Sequence, residues 1–337
     1  MKSGRLGAPM PAIAETTNIV ANLLQELPVV LAPMEEITDA VFRRACRSVG
    51  ASLCVTEFVG AEQMIASSLI ARRKAALTAD DRPTAIQIYG ADPELLLKAA
   101  LIAEEAAPAF VDINCGCWVP KIAGRGAGAG WLRQPSAMVE MARRIAAAVA
   151  LPVTVKTRIG WGPESDMPIV DLARRLEDAG VAALTIHCRT AAMGHRVDAD
   201  WSWAAKARAA VAIPVVVNGD VRNADDVVRA LEETGCAAVM IGRAAIDHPW
   251  VFREARGRLA GGAVAPPTDE ERCAFYRALL DANIALRGER AGIAATKRHV
   301  GVLGPLLPAW RTLLLRAVTI AEAHDILDRA TTASLAA

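Results

Sequence analysis

Between Phe110 and Gly130 the chain reads FVDINCGCWVPKIAGRGAGAG. A short apolar run ends on Asp112, Ile113 and Asn114, passes through Cys115, Gly116 and Cys117, and opens into a stretch rich in glycine and basic residues. An apolar strand that finishes in amide, carboxylate and thiol groups sets reactive side chains at its tip. The glycines that follow let backbone approach a ligand closely. The pattern predicts that the Cys117 thiol does chemistry there. No CxxC pair suggests a zinc site or a redox dithiol, and no cluster of His and carboxylate ligands suggests a catalytic metal.

Such a tip needs a scaffold, and the sequence supplies repeated parts. Eight short runs rich in Val, Ile and Leu recur: PVVLAP, SLCVTEF, TAIQIYG, the FVDIN run, PVTVKTR, AALTIHCR, PVVVNGD and AAVMIGR. Helical patterns alternate with them, among them DAVFRRACRSVG, PELLLKAALIAEEAA, SAMVEMARRIAAAV and ADDVVRALEETG, with apolar residues three and four apart. Thr38-Asp39, Asp92-Pro93, Pro135-Ser136 and Asn223 read as helix starts; Gly50, Gly180 and Gly235 read as stops. Strand–helix repeats require parallel pairing with both sheet faces covered. Eight of them predict an α/β fold of the closed (β/α)8 TIM-barrel type. An open doubly wound sheet is disfavoured, since no GxGxxG follows the first strand and polar endings close every strand.

Bulk properties agree. The chain has 337 residues, is 53% hydrophobic and 22% charged, and carries a net charge of +1. That composition suits a soluble globular enzyme, and a near-zero charge leaves any polyanion contact to local patches. Charged residues interrupt every candidate membrane span. The seven cysteines are scattered, which fits a reducing cytoplasm. Residues 1–27 lack the pattern of a cleavable leader and read as a frayed extension.

In a barrel the reactive mouth is built from strand ends and the loops after them. Those ends are Met34, Glu57, Gln87, Asn114 with Cys117, Lys156, His187, Asn218 with Asp220, and Gly242 with Arg243. Their mixture of donors, acceptors and cations suits a large polar cofactor. Asn218-Gly219-Asp220 and Gly242-Arg243 close the seventh and eighth strands, where barrels often hold phosphate. Glu57 has a plainer reading as a loop cap or ion-pair partner, and Glu35 and Glu36 as the favourable start of a helix. His195, His248, His299 and His324 have no context beyond surface or structural roles.

The segments APMEEITDAVFRRACRSVGASLCVTEFV, QIYGADPE, DINCGCWVPKIAGRGAGAGWL, TVKTRIGW, LTIHCRT, VVNGDV and MIGRAAIDHPWVF together resemble the tRNA-dihydrouridine synthases in order and spacing. The resemblance runs along nearly the whole chain. It implies an FMN-dependent barrel that uses NADPH to reduce uridines of tRNA, with a C-terminal helical domain. It further implies that Pro33 and Met34 lie beneath the flavin ring with Glu35 just beyond. Gln87 and Lys156 would bond the ring's polar edge, His187 would stand beside it, and Asn218, Gly219, Asp220, Gly242 and Arg243 would hold phosphate. Cys117 matches the catalytic acid, and Asn114 an asparagine lining the uracil and flavin site.

The family usually has proline after that cysteine, where this chain has Trp118, which reads as packing against a neighbouring loop. Cys115, two residues from Cys117, reads as barrel lining.

Linker composition in GGAVAPPTDE and helical patterns without strands after it divide the chain into a barrel over 28–260 and a helical domain over 261–337, which the resemblance implies binds RNA. Candidate phosphate contacts are Lys121 and Arg125 on the cysteine loop and Lys297, Arg298 and Arg311 in the helical domain; Arg316, Arg133, and Arg43, Arg44 and Arg47 are further cations. An enzyme acting on a base must take it out of its stack, and cations at the mouth can hold the backbone while it does. No membrane and no obligate protein partner are inferred. The alternatives are a flavin barrel acting on a free pyrimidine or other enone, and a barrel that binds RNA without catalysis.

Overall fold

The computed structural model describes residues 13–26, 28–162, 167–304 and 308–335. Strand positions follow the apolar runs: β1 Val29–Leu31, β2 Leu53–Val55, β3 Val59–Gly60, β4 Thr84–Tyr89, β5 Val111–Cys115, β6 Val153–Arg158, β7 Ala183–His187, β8 Val215–Asn218 and β9 Ala238–Ile241. Every pairing among them is parallel. The order runs β2-β1-β9-β8-β7-β6-β5-β4-β3, and a further pairing of β2 with β4 closes the ring. The second predicted run is therefore split into β2 and β3, both of which pair with β4. The fold is a closed eight-stranded α/β barrel with one strand interrupted.

Parallel strands are covered on both faces, and here the two faces serve different ends. Outward residues such as Leu31, Ile86, Ile113, Val155, Ile186, Val217 and Ile241 are fully or nearly fully buried in one large apolar layer with the surrounding helices. Helix ends obey local chemistry. Asp39 accepts from the Phe42 N–H, Asp92 from Glu94 and Leu95, and Asn223 from Asp226. Gly235 ends its helix in the left-handed region at φ +62°, a conformation open to glycine at little cost.

Inside the barrel the floor is apolar, built from Val30, Leu53, Val55, Ala85, Ala183, Val216 and Ala238. Helix Ile13–Glu26 plugs it, with Val20 and Leu24 buried against those residues. The expected frayed extension is thus a packed helix over 13–26, because its apolar face meets a ring of strand ends that would otherwise be wet. Residues 1–12 lie outside the described residues.

After the barrel, Thr268 and Glu271 form a reciprocal capping box at the start of helix Asp269–Arg287. Helices Glu289–Thr296, Pro308–Arg316 and Ile320–Leu335 complete a bundle around Phe275, Tyr276, Leu280, Val302, Leu314 and Leu327. Trp250 of the barrel belongs to this second core. Phe42 stacks on His299 with ring centres 4.4 Å apart, and Arg287 pairs with Asp39, so the bundle is fastened to the first barrel helix. Among the described residues no helix is long and apolar enough to cross a membrane.

Because Leu24 is 2% exposed in the floor plug, Leu24→Ala should cost about 2–4 kcal/mol of stability in urea unfolding. An unchanged midpoint would mean that the helix does not seal the barrel.

Candidate active site

At the mouth, the ends of β6 to β9 and the turn after β1 surround a cavity of about 600 Å³. Pro33, Met34, Lys156, His187, Asn218, Gly219, Asp220, Gly242 and Arg243 all line it. Nine residues singled out from distant stretches therefore meet in one space. Register explains how: Arg158 pairs with His187, His187 with Asn218, and Asn218 with Met240 across adjacent strands. Lys156 Nζ donates to Asn218 Oδ1 at 3.1 Å, and Asn218 Nδ2 donates to the Met240 carbonyl at 2.8 Å. Gly219 sits at φ +123°, and a Cβ there would lie 2.7 Å from that of Ala199 and 3.2 Å from the His187 ring. Only glycine fits this approach.

The lining is cationic. Lys156, Arg189, Arg196, Arg222 and Arg243 outnumber Asp198 and Asp220. Asp220 organises them, accepting from Arg189 at 2.5 Å, from the Ala199 N–H at 2.8 Å and from Arg243 at 3.3 Å. Burial works to raise its pKa, but the Arg189 and Ala199 hydrogen bonds prevail and hold it below the usual carboxylate value. Burial, reinforced by Arg158, brings Lys156 down to about 8. The same burial, with Arg158 and Lys156, holds His187 neutral well below its ordinary range. Arg189 Nη1 lies 3.3 Å from His187 Nε2. Guanidinium only donates, so that nitrogen accepts and the imidazole proton sits on Nδ1.

Cys117 stands in the next sector of the mouth, on the loop after β5, and does not line the 600 Å³ cavity. Asn114 Oδ1 accepts from the Gly116 and Cys117 N–H groups at 3.1 and 3.0 Å, and the Cys117 carbonyl accepts from Ala129 N–H at 2.9 Å. Gly128 lies so close beneath that a Cβ would meet the Cys117 carbonyl at 2.7 Å. Burial raises the thiol pKa, opposed by the Val119 N–H and the charges of Arg158 and Lys156. The thiol is therefore protonated at neutral pH. Arg158, 2% exposed, joins two loops by donating to the carbonyls of Gly116 (2.9 Å), Thr190 (2.9 Å) and Gly194 (3.2 Å).

Gln87 and Asn114 are buried below the mouth and do not line the cavity. Gln87 Nε2 donates to Asp112 Oδ2 at 2.6 Å, and Asn114 Nδ2 donates to Gln87 Oε1 at 2.9 Å. Burial lifts Asp112 to about 6, against the hydrogen bonds from Gln87 and Thr154 and the charge of Lys156.

Glu35 turns aside to Lys74 at 2.5 Å, and Glu57 accepts from the Glu36 N–H at 2.6 Å. Glu57 is thus a loop cap, and Glu35 and Glu36 precede a turn rather than start a helix, which Asp39 caps instead. Cys115 does not line the barrel. Asp112 and Asn114 take the inward positions of β5, and the alternation sends Cys115 into the apolar layer under the helices. Trp118 packs against the neighbouring loop as expected, edge-on to His195 with ring centres 5.8 Å apart and against Gly194.

His195 is a correction: it lines the cavity, and burial with Arg243 brings it to about 4. Arg158 and Arg189 were also missed as site residues. Each lies two positions beyond a recognised one, Lys156 and His187, so strand alternation could have found them. Among the phosphate-contact candidates, Lys121 and Arg125 are exposed on the cysteine loop and Arg311 is exposed on the bundle. Lys297 is partly buried, and Arg298 donates to the Glu36 carbonyl. Arg43 is not a surface cation at all: it is fully buried against Asp81.

A parallel barrel whose mouth joins a cationic cavity to a protonated thiol, with a helical domain fastened beside it, defines an enzyme of the (β/α)8 class. The family model for dihydrouridine synthase matches residues 30–333. A probable tRNA-dihydrouridine synthase of Rhodobacter capsulatus is 37% identical over 81% of this chain and 85% of its own length. Probable tRNA-dihydrouridine synthase 1 of Synechocystis is 33% identical over 96% and 92%. The chain belongs to the dihydrouridine synthase family and is an oxidoreductase. A solved 2-naphthoyl-CoA reductase, 11% identical, superposes with a TM-score of 0.54 over 70% of this chain and 50% of its own, which is a likeness of fold.

The depressed Lys156 value has a sign that can be measured. Below pH 8 native and unfolded chains both hold the proton; between about 8 and 10.5 the native chain has released it first, so stability contributed by this group rises with pH. From pH 7 to pH 10 the wild type should gain roughly 2–3 kcal/mol relative to Lys156→Met in urea unfolding. A constant difference would place the ammonium in water.

Proposed function

We propose that this chain reduces uridines of tRNA to 5,6-dihydrouridine, with FMN as the resident cofactor and NADPH as the electron source. The observation that carries the reading is a cationic cavity at the barrel mouth with one partly buried, protonated thiol, Cys117, on the neighbouring loop after β5 and within electrostatic reach of Lys156. The volume and the excess of cations fit a large ligand with a phosphate. Gly219 and Gly242 bring backbone without a side chain to the cavity wall.

Lys156, Asn218, Gly219, Gly242 and Arg243 would hold the cofactor over Pro33 and Met34, with Asp220 arranging the arginines and neutral His187 and His195 closing the wall. Bound and reduced by NADPH, FMN supplies a hydride to C6 of the uracil ring. The chain's own part is the proton. Hydride addition leaves electron density on C5 and O4, and Cys117 delivers its thiol proton to C5. A raised pKa keeps that proton in place until it is needed. Lys156 and Arg158 lie near enough to the sulfur to favour the thiolate left behind. Lys121 and Arg125, exposed on the same loop, would take RNA phosphates while the base leaves its stack. The helical domain, with Lys297, Arg298 and Arg311, would add a second RNA contact, which a free pyrimidine would not require.

Cys117→Ala should retain the flavin spectrum and tRNA binding but form dihydrouridine at least about 100-fold more slowly. Full activity would remove the proposed acid. Lys121→Glu and Arg125→Glu should weaken tRNA binding more than FMN binding in parallel titrations; equal loss of both would mean that the loop serves the cavity instead.

A further inference from the structure

A row of buried polar groups crosses the barrel below the mouth and ends at the cysteine loop. Asp112, 3% exposed, accepts through one oxygen from Gln87 Nε2 at 2.6 Å and through the other from the Thr154 hydroxyl. Strand register sets the row, since Gln87 lies opposite Asp112 across β4 and β5, and Asp112 opposite Thr154 across β5 and β6. A carboxylate can only accept. Gln87 must therefore turn its NH2 toward Asp112 and its oxygen toward Asn114. Asn114 in turn gives its NH2 to Gln87 at 2.9 Å, which leaves its oxygen for the Gly116 and Cys117 N–H groups at 3.1 and 3.0 Å. Reversing Asn114 would set its NH2 against the Gly116 and Cys117 N–H donors, and reversing Gln87 would set its NH2 against that of Asn114 and its oxygen against the Asp112 carboxylate, with little water to relieve either clash.

We propose that Asp112 is a positioning residue: by fixing the direction of the Gln87 and Asn114 amides it holds the Cys117 loop in place, although it touches neither the cavity nor the thiol. The inference deepens the assignment of Cys117 as the proton donor and rests on it. Asp112→Leu removes the acceptor that sets the direction, and Gln87→Met removes the link. Asp112→Asn keeps an acceptor for Gln87 and turns an NH2 to the Thr154 oxygen, so it preserves the direction without the charge.

Cys117 is the one cysteine of the seven that is not buried, which gives a direct readout. Alkylation of Cys117 by iodoacetamide, followed by mass spectrometry on the purified full-length protein, requires no RNA. Release of the loop should make Asp112→Leu and Gln87→Met react about fivefold faster or more, while Asp112→Asn stays within about twofold of the wild type. Wild-type rates in both disrupting variants would overturn the proposal, as would an Asp112→Asn rate matching Asp112→Leu. Loss of the folded state in both Asp112→Leu and Gln87→Met would also overturn it, by making the row a stability element. A wild type that alkylates as described but makes no dihydrouridine from tRNA would instead overturn the function proposed above.

Discussion

Mutual repulsion among Lys156, Arg158 and Arg189 is the constraint around which the mouth is organised. Three cations at or just beyond the ends of two adjacent strands, two of them almost fully buried, would drive those strand ends apart in a low-dielectric interior. The chain answers in three ways. Asp220 neutralises Arg189, backbone carbonyls of three loop residues receive Arg158, and Lys156 has its affinity for a proton reduced. The remaining positive potential faces the cavity, where an anionic ligand would relieve it. Electrostatic strain in the free protein is thus stored in the same groups that recognition would use.

Much of this was legible in the residues. Strands announced themselves as β-branched runs, helix caps as Asp39, Asp92 and Asn223, and the mouth as the polar residue closing each run. What escaped was set by partners rather than by spacing. Whether Gln87 faces the cavity or Asn114 depends on the Asp112 carboxylate on the next strand, and sequence spacing carries no sign for that. Arg43 looked like a surface cation because helix position alone cannot reveal Asp81 waiting from a distant segment. His195 lies on a loop with no periodicity, and contacts with Trp118 and His187 bring it to the wall. Cys115 was misplaced for a different reason: the strand ends there, and the alternation that fixes its direction does not continue to Cys117.

The helical domain is attached where the chemistry begins. Arg298 and Arg287 reach the Glu36 and Asp39 region, immediately after Pro33 and Met34 at the cavity edge. His299 fills the seam by stacking on Phe42. Movement of the bundle would therefore be felt in the turn after β1, and anything that orders that turn would steady the bundle. The two units share a border as well as a chain.

The plugged floor has a consequence for traffic. With Val20 and Leu24 stopping the far end of the barrel, molecules exchange with the deep interior through the strand-end side. On the function proposed above, a polynucleotide and a reductant would share that side of the barrel, and their visits would alternate.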